Sequence, residues 1–213
     1  MSPKEAVLVQ KKLAGLVVQK KQLGLVTTVA GIDVSIQDET AHGAVVVLNY
    51  PGLEIVDYTV STRRVTFPYI PGLLSFREGP IILDALGKLS MAPDLLIFDG
   101  QGLAHPRRLG IASHIGLFTD LPAIGCAKSR LCGQHEEPGF EKGSHVPLID
   151  NGETIGAVVR TRKGVNPVFV SVGHRVDLPT SIEYVLACCR GFRLPETTRM
   201  AHRIAGGVIK LTN

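Results

Sequence analysis

Apolar residues fall along this chain in short runs separated by turn residues. Ser2-Pro3-Lys4-Glu5 has the composition of a helix start: Ser2 can cap, Pro3 fits the first position and Glu5 completes a capping box. A helix is expected from there to about Lys21, closed by Gly24. Three β-rich runs follow, at residues 26–36, 42–50 and 53–65, and the turn signal Tyr50-Pro51-Gly52 joins the last two as a hairpin. LLSFREGPIILDALGKLS reads as a helix with Leu83 and Leu86 among its apolar positions, its first turn broken or restarted at Pro80. Residues 94–100, DLLIFDG, form a near-continuous apolar run of the kind that makes a buried strand. A helix over 107–118 and a second buried strand over 122–128 give a right-handed crossover between parallel strands. Asn151-Gly152 marks another hairpin, 167–175 a further strand, and 180–190 and 195–206 two closing helices. The expected architecture is α/β: a mixed sheet of three antiparallel strands then parallel strands, with helices on both faces.

One segment resists this scheme. FPYIPG, Phe67 to Gly72, carries two prolines and no charge. Pro68 and Pro71 exclude both helix and central strand, so the segment is a stiff, apolar, irregular loop. Loops lie mostly on the surface and are usually polar.

Composition changes the picture little. The 213 residues suit one domain spanning 1–213, with a hydrophobic fraction of 45% and 20% charged residues. A formal charge of +4 is compatible with a polyanionic partner without establishing one. The four cysteines make no CxxC pair, and the N-terminus lacks the apolar core of a secretory signal. No apolar run approaches the ~20 residues of a membrane span. These features lead to the expectation of a soluble cytoplasmic protein with reduced thiols, its cysteines serving as small buried hydrophobes; nothing suggests an obligate oligomer, and a monomer is expected. Adjacent Cys188 and Cys189 suggest no role.

The informative acids are those in apolar surroundings. Asp33 sits inside VAGIDVSI and Asp99 closes LLIFDG, and an ionised carboxylate is costly to bury unless paired or bound to a metal. Asp99 ends a parallel strand, where open α/β sheets place their sites. If the first and fourth strands are neighbours, the two carboxylates meet. A turn or capping role fits either residue taken alone. Glu78 is a third candidate with two readings: Ser75-x-x-Glu78 fits a capping box, while Pro80, falling inside the first turns and removing a helix hydrogen bond, weakens it. Three oxygen ligands without a Cys or His cage suit a hard cation, Mg²⁺ or Mn²⁺, and phosphodiester hydrolysis is the matching chemistry.

PYIPGLLSFREGP, FDGQGLAHPRRLGIASHIGL, IGCAKSRLCG and VSVGHR, in this order, resemble the endonuclease V family of deoxyinosine-directed repair nucleases over about residues 28–200. The resemblance implies an RNase H-like fold and a metal site of Asp33, Glu78 and Asp99, served by Mg²⁺ with Mn²⁺ as a substitute. It places His174 in the active site, and His105 and Lys128 near the scissile phosphate. It implies a pocket for a flipped base built on Gly72, Leu74, Gly100, Gly125 and Leu131. Arg107, Arg108, Arg130 and Lys163 are then candidate backbone contacts, which position an enzyme without reading sequence. The implied reaction is hydrolysis of the second phosphodiester bond 3′ to deoxyinosine in DNA, leaving 3′-hydroxyl and 5′-phosphate. Other damaged or mismatched DNA, inosine-containing RNA, and a non-catalytic nucleic-acid-binding role are the alternatives. Within this reading the stiff loop becomes a wedge, with Pro68, Tyr69, Ile70 and Pro71 filling the gap left when a base leaves the stack.

Overall fold

A computed structural model describes residues 1–207. Its centre is an eight-stranded sheet in the order β3-β2-β1-β4-β5-β8-β7-β6. The first three strands, β1 (Thr28–Gln37), β2 (Thr40–Asn49) and β3 (Ile55–Arg64), form the expected antiparallel set. β4 (Leu95–Phe98) and β5 (Ala123–Ala127) join it in parallel with β1. The parallel run ends there. β8 (Val168–His174) pairs antiparallel to β5, and β7 (Glu153–Val159) and β6 (His145–Asp150) complete the sheet as a hairpin. Asn151 (φ 54°) and Gly152 (φ 78°) make its two-residue turn, a conformation that Asn-Gly tolerates well.

Residues alternate across the sheet as strand geometry requires. Ala30, Ile32, Leu96 and Phe98 pack under α2 (Leu74–Leu86) and α3 (Ile111–Thr119). Val29, Leu95, Ile97 and Ile124 face α4 (Leu178–Ala187) and α5 (Glu196–Ala205). The four residues of β4 are all buried, and each such side chain contributes roughly 1.5–3 kcal/mol of burial. This central ladder is therefore a rigid base for whatever stands at its carboxyl end. Cys126, Cys188 and Cys189 are buried and unbridged, and burial pushes the last two thiols up to about 12. Among the described residues no helix is long and apolar enough to cross a membrane.

Three boundaries differ from expectation. α1 (Pro3–Ala14) has the expected capping box, with Ser2 and Glu5 bonded reciprocally, but stops well short of Lys21. Beyond Gly15 the backbone is drawn into tertiary pairing: Val18 N donates to His174 Nδ1, its carbonyl accepts from Arg175 N, and Gln22 N donates to Arg175 O. α2 is not restarted at Pro80, which lies inside it on an exposed face. α3 begins at Ile111, not 107, because Arg108 takes a left-handed conformation (φ 56°) and the preceding residues fold into turns.

Candidate active site

β1 and β4 pair Ile32 with Phe98, so Asp33 and Asp99 follow side by side at the carboxyl edge of the parallel ladder. Their side chains are only 16% and 13% exposed. Glu78 is supplied by α2, which is brought close where Gly43, the partner of Val34, leaves room for Ile81; a Cβ at Gly43 would lie 2.9 Å from Ile81 Cγ1. The capping reading of Glu78 does not hold. Ser75 lies inside the helix, and its Oγ bonds His114 Nδ1 at 2.8 Å.

The three carboxyls feel one another. Burial, then Asp33, push Glu78 up to about 8, with Asp99 adding to the rise and Arg77 opposing it. Burial is also the main reason that Asp33 is raised; a bond from His202 works against it and Asp99 adds to it. Among the described residues no hydrogen bond or ion pair satisfies the Glu78 carboxyl. The other two acids have cationic or protonatable partners. Lys128, following β5, pairs with Asp99, and His202 Nδ1 lies 2.9 Å from Asp33 Oδ2. In this arrangement no three acidic, His or Cys side chains among the described residues close into a ligand cluster. The donor set nevertheless fits a hard divalent cation. It is all carboxylate oxygen, and a half-buried acid stands beside two others with no donor of its own.

His202 was not foreseen, and His174 does not join this site. β8 runs antiparallel to β5 and pairs His174 with Ala123, which puts it at the opposite edge of the sheet. There it is 2% exposed, accepts from Val18 N and lies 3.5 Å from Asp120. His202 arrives on α5, which lies directly on β1: a Cβ at Gly31 would fall 1.9 Å from Thr197 O. Nothing in the local sequence AHRIA marks this residue; only the packing of α5 on β1 does.

Beside Asp99 opens a cavity of about 320 Å³, at the small end of ligand pockets (~300–1,000 Å³). Gly72, Leu74, Gly100 and Leu131 line it, with Asp99, His105, Lys128 and Arg130, and Tyr69, Ile70 and Pro71 stand at one wall. Gly125 does not line it. A Cβ there would meet Gly102 N at 2.4 Å and Gly100 O at 2.7 Å, so Gly125 lets the wall loop lie flat on β5 from behind. Tyr69 is 69% exposed and Pro68 and Pro71 are exposed, whereas Phe67 is buried against Phe76. The apolar loop thus projects from an anchored base.

Several expected phosphate-side residues have other partners. His105 is buried, accepts from Arg107 N at Nδ1 and bonds Gly72 O through Nε2 at 2.9 Å. Burial lowers its pKa to about 4, so it is a neutral brace with both nitrogens committed. Arg107 donates to Gly72 O at 2.7 Å, and Arg108 pairs with Asp150 (2.9 Å) and Glu153 (2.8 Å). Lys163 pairs with Glu141 at 2.6 Å on the exposed loop after β7. Of the expected cations, Arg130 is exposed at the cavity mouth and Lys128 stands at the carboxylates.

The family model for Endonuclease V matches residues 11–203. The chain is 55% identical over 201 residues to an Endonuclease V of Roseiflexus sp. (strain RS-1), covering 94% of this chain and 90% of the relative. The crystal structure of Endonuclease V from Streptomyces avermitilis superposes with a TM-score of 0.92 at 42% identity, covering 97% and 92% of the two chains. That of Ciona intestinalis Endonuclease V, in complex with a 24mer DNA containing an inosine followed by a ribo-adenosine, superposes with a TM-score of 0.83 at 27% identity, covering 96% of each. With this coverage, this identity and a shared fold, the chain belongs to the endonuclease V family of nucleases.

Proposed function

We propose that the protein is a DNA repair endonuclease that captures deoxyinosine in its cavity and hydrolyses the second phosphodiester bond 3′ to it. The observation that carries this reading is the juxtaposition of a base-sized cavity, an exposed apolar loop at its wall and Asp99 in its lining, with Asp33 beside Asp99 on the sheet edge. Tyr69 and Ile70 fill the space beside a flipped base. Gly72 and Gly100 let backbone groups approach the flat ligand closely. The Ciona relative's complex with inosine-containing DNA supports the substrate class.

Asp33, Glu78 and Asp99 would hold a divalent cation, Mg²⁺ with Mn²⁺ as a substitute. When bound, it lowers the pKa of an attacking water and neutralises charge on the transferring phosphate. Lys128 presents a point charge to the phosphate edge. His202 fixes the orientation of the Asp33 carboxylate. The products carry 3′-hydroxyl and 5′-phosphate ends, and the lesion stays in the strand.

The test is a duplex with a single deoxyinosine, incubated with Mg²⁺ or with EDTA beside an adenine control. A metal-dependent cut one nucleotide beyond the lesion is expected. No cut, or an equal cut in the control, overturns the reading.

A further inference from the structure

The carbonyl of Gly72 ends the stiff loop and receives three donors at once. Arg107 Nη2 lies at 2.7 Å, His105 Nε2 at 2.9 Å and Gln10 Nε2 at 2.9 Å. Gly72 has φ +79°, and a Cβ there would sit 2.9 Å from Arg107 Nη2, so glycine is required both for the turn and for the approach of the donors. Gln10 comes from α1. It is 1% exposed, and every hydrogen-bonding atom of its amide is engaged. Its Nε2 also donates to Leu109 O at 3.1 Å, and its Oε1 accepts from Arg107 Nε at 2.5 Å.

One buried amide therefore joins the loop end at Gly72 to Leu109, another residue of the cavity lining. The other end of the loop is fixed separately, by buried Phe67 and by Arg77 Nη1 donating to Phe67 O at 3.0 Å. Ala6, one turn before Gln10 on α1, is buried with Phe67 and Leu73. A fully satisfied buried polar network specifies position, where an apolar side chain would supply packing alone.

We propose that Gln10 and Arg107 are positioning residues that hold the wedge loop at a fixed height and distance from the base cavity. The inference rests on the deoxyinosine reading above and adds the device that prepares strand separation. A loop held in place loses little ordering entropy on entering a duplex. Single-stranded substrate needs no separation, so the pair should matter less there.

The test compares kcat/KM of the full-length protein on a deoxyinosine strand, unpaired and in duplex. Gln10→Leu is expected to lower the duplex value about tenfold and the single-strand value at most threefold. Arg107→Gln, at a more exposed position, should give the same duplex-selective loss and serves if Gln10→Leu does not fold. Equal losses on both substrates, which a phosphate contact or a general loss of stability would produce, overturn the proposal, as does no loss on duplex. A wild-type protein that cuts neither substrate overturns the deoxyinosine reading, and the brace falls with it.

Discussion

Replacing Glu78 by Gln should make the metal-free protein more stable while removing its activity. Glu78 is pushed up to about 8 from an ordinary 4.5, so the folded state holds a proton that the unfolded state releases between those values. A raised acid destabilises the folded form as pH rises. The penalty is absent below pH 4.5, grows through the interval and is complete above 8. Integrating the difference gives about 1 kcal/mol at pH 5, about 3 at pH 7 and about 5 at pH 9, as upper bounds. Glutamine keeps the shape and removes the charge, so the variant escapes this penalty. In urea with EDTA, where m is ~1–3 kcal/mol per M, its midpoint at pH 7 should exceed the wild type's by roughly 1 M or more, and the gap should widen towards pH 9. Mg²⁺ binds the folded form and should stabilise the wild type more than the variant, narrowing the gap. A stability difference that stays constant from pH 5 to 9, or equal stabilisation of both proteins by Mg²⁺, would refute the argument.

Other substitutions separate the parts of the site. Asp99→Asn should keep DNA binding in a gel-shift assay and lose cleavage about 10³-fold, equivalent to roughly 4 kcal/mol of transition-state stabilisation. Tyr69→Ala should weaken binding of deoxyinosine duplex about tenfold with no change in thermal midpoint, because the ring is 69% exposed and removing it leaves no cavity. His174→Ala should cost about 1–3 kcal/mol in urea titration by leaving Val18 N unpaired, with turnover per folded molecule unchanged. His202→Ala should do the reverse, lowering kcat with little effect on stability, since its side chain is 67% exposed.

The strands and the two aspartates were legible because they are local signals. Short apolar runs such as LLIFDG make buried strands, and a carboxylate closing one is conspicuous. The histidines were not legible, because a strand-end residue falls on one edge of the sheet or the other according to strand direction. VSVGHR reads the same in a parallel and an antiparallel β8, and only the antiparallel pairing of His174 with Ala123 removes it from the site. The partners of the arginines were not legible for a related reason. Arg107 and Arg108 look like a surface cation pair, but the left-handed turn at Arg108 directs one to Gly72 and the other to Asp150 and Glu153. The early end of α1 follows the same logic, since backbone partners at His174 and Arg175 override any helical preference after Gly15.

The charge state of the site follows from which acids have partners. Lys128 pairs with Asp99 and His202 bonds Asp33, whereas Glu78, with no such partner among the described residues, is pushed up to about 8 chiefly by burial and takes up a proton. The carboxyls cannot relieve their repulsion by separating, because the backbone pairing of β1 with β4 and the close seat of α2 at Gly43 hold them in place. With all three carboxyls present, added positive charge would remove the remaining cost. Charge placed at Asp99 would also compete with Lys128 for that carboxylate. A Lys128 released in this way would face the phosphate edge as a full cation, whereas one still paired with Asp99 would be largely neutralised. The same few residues thus make the carboxylate cluster costly to fold on its own and would leave its lysine uncommitted once a cation neutralised them.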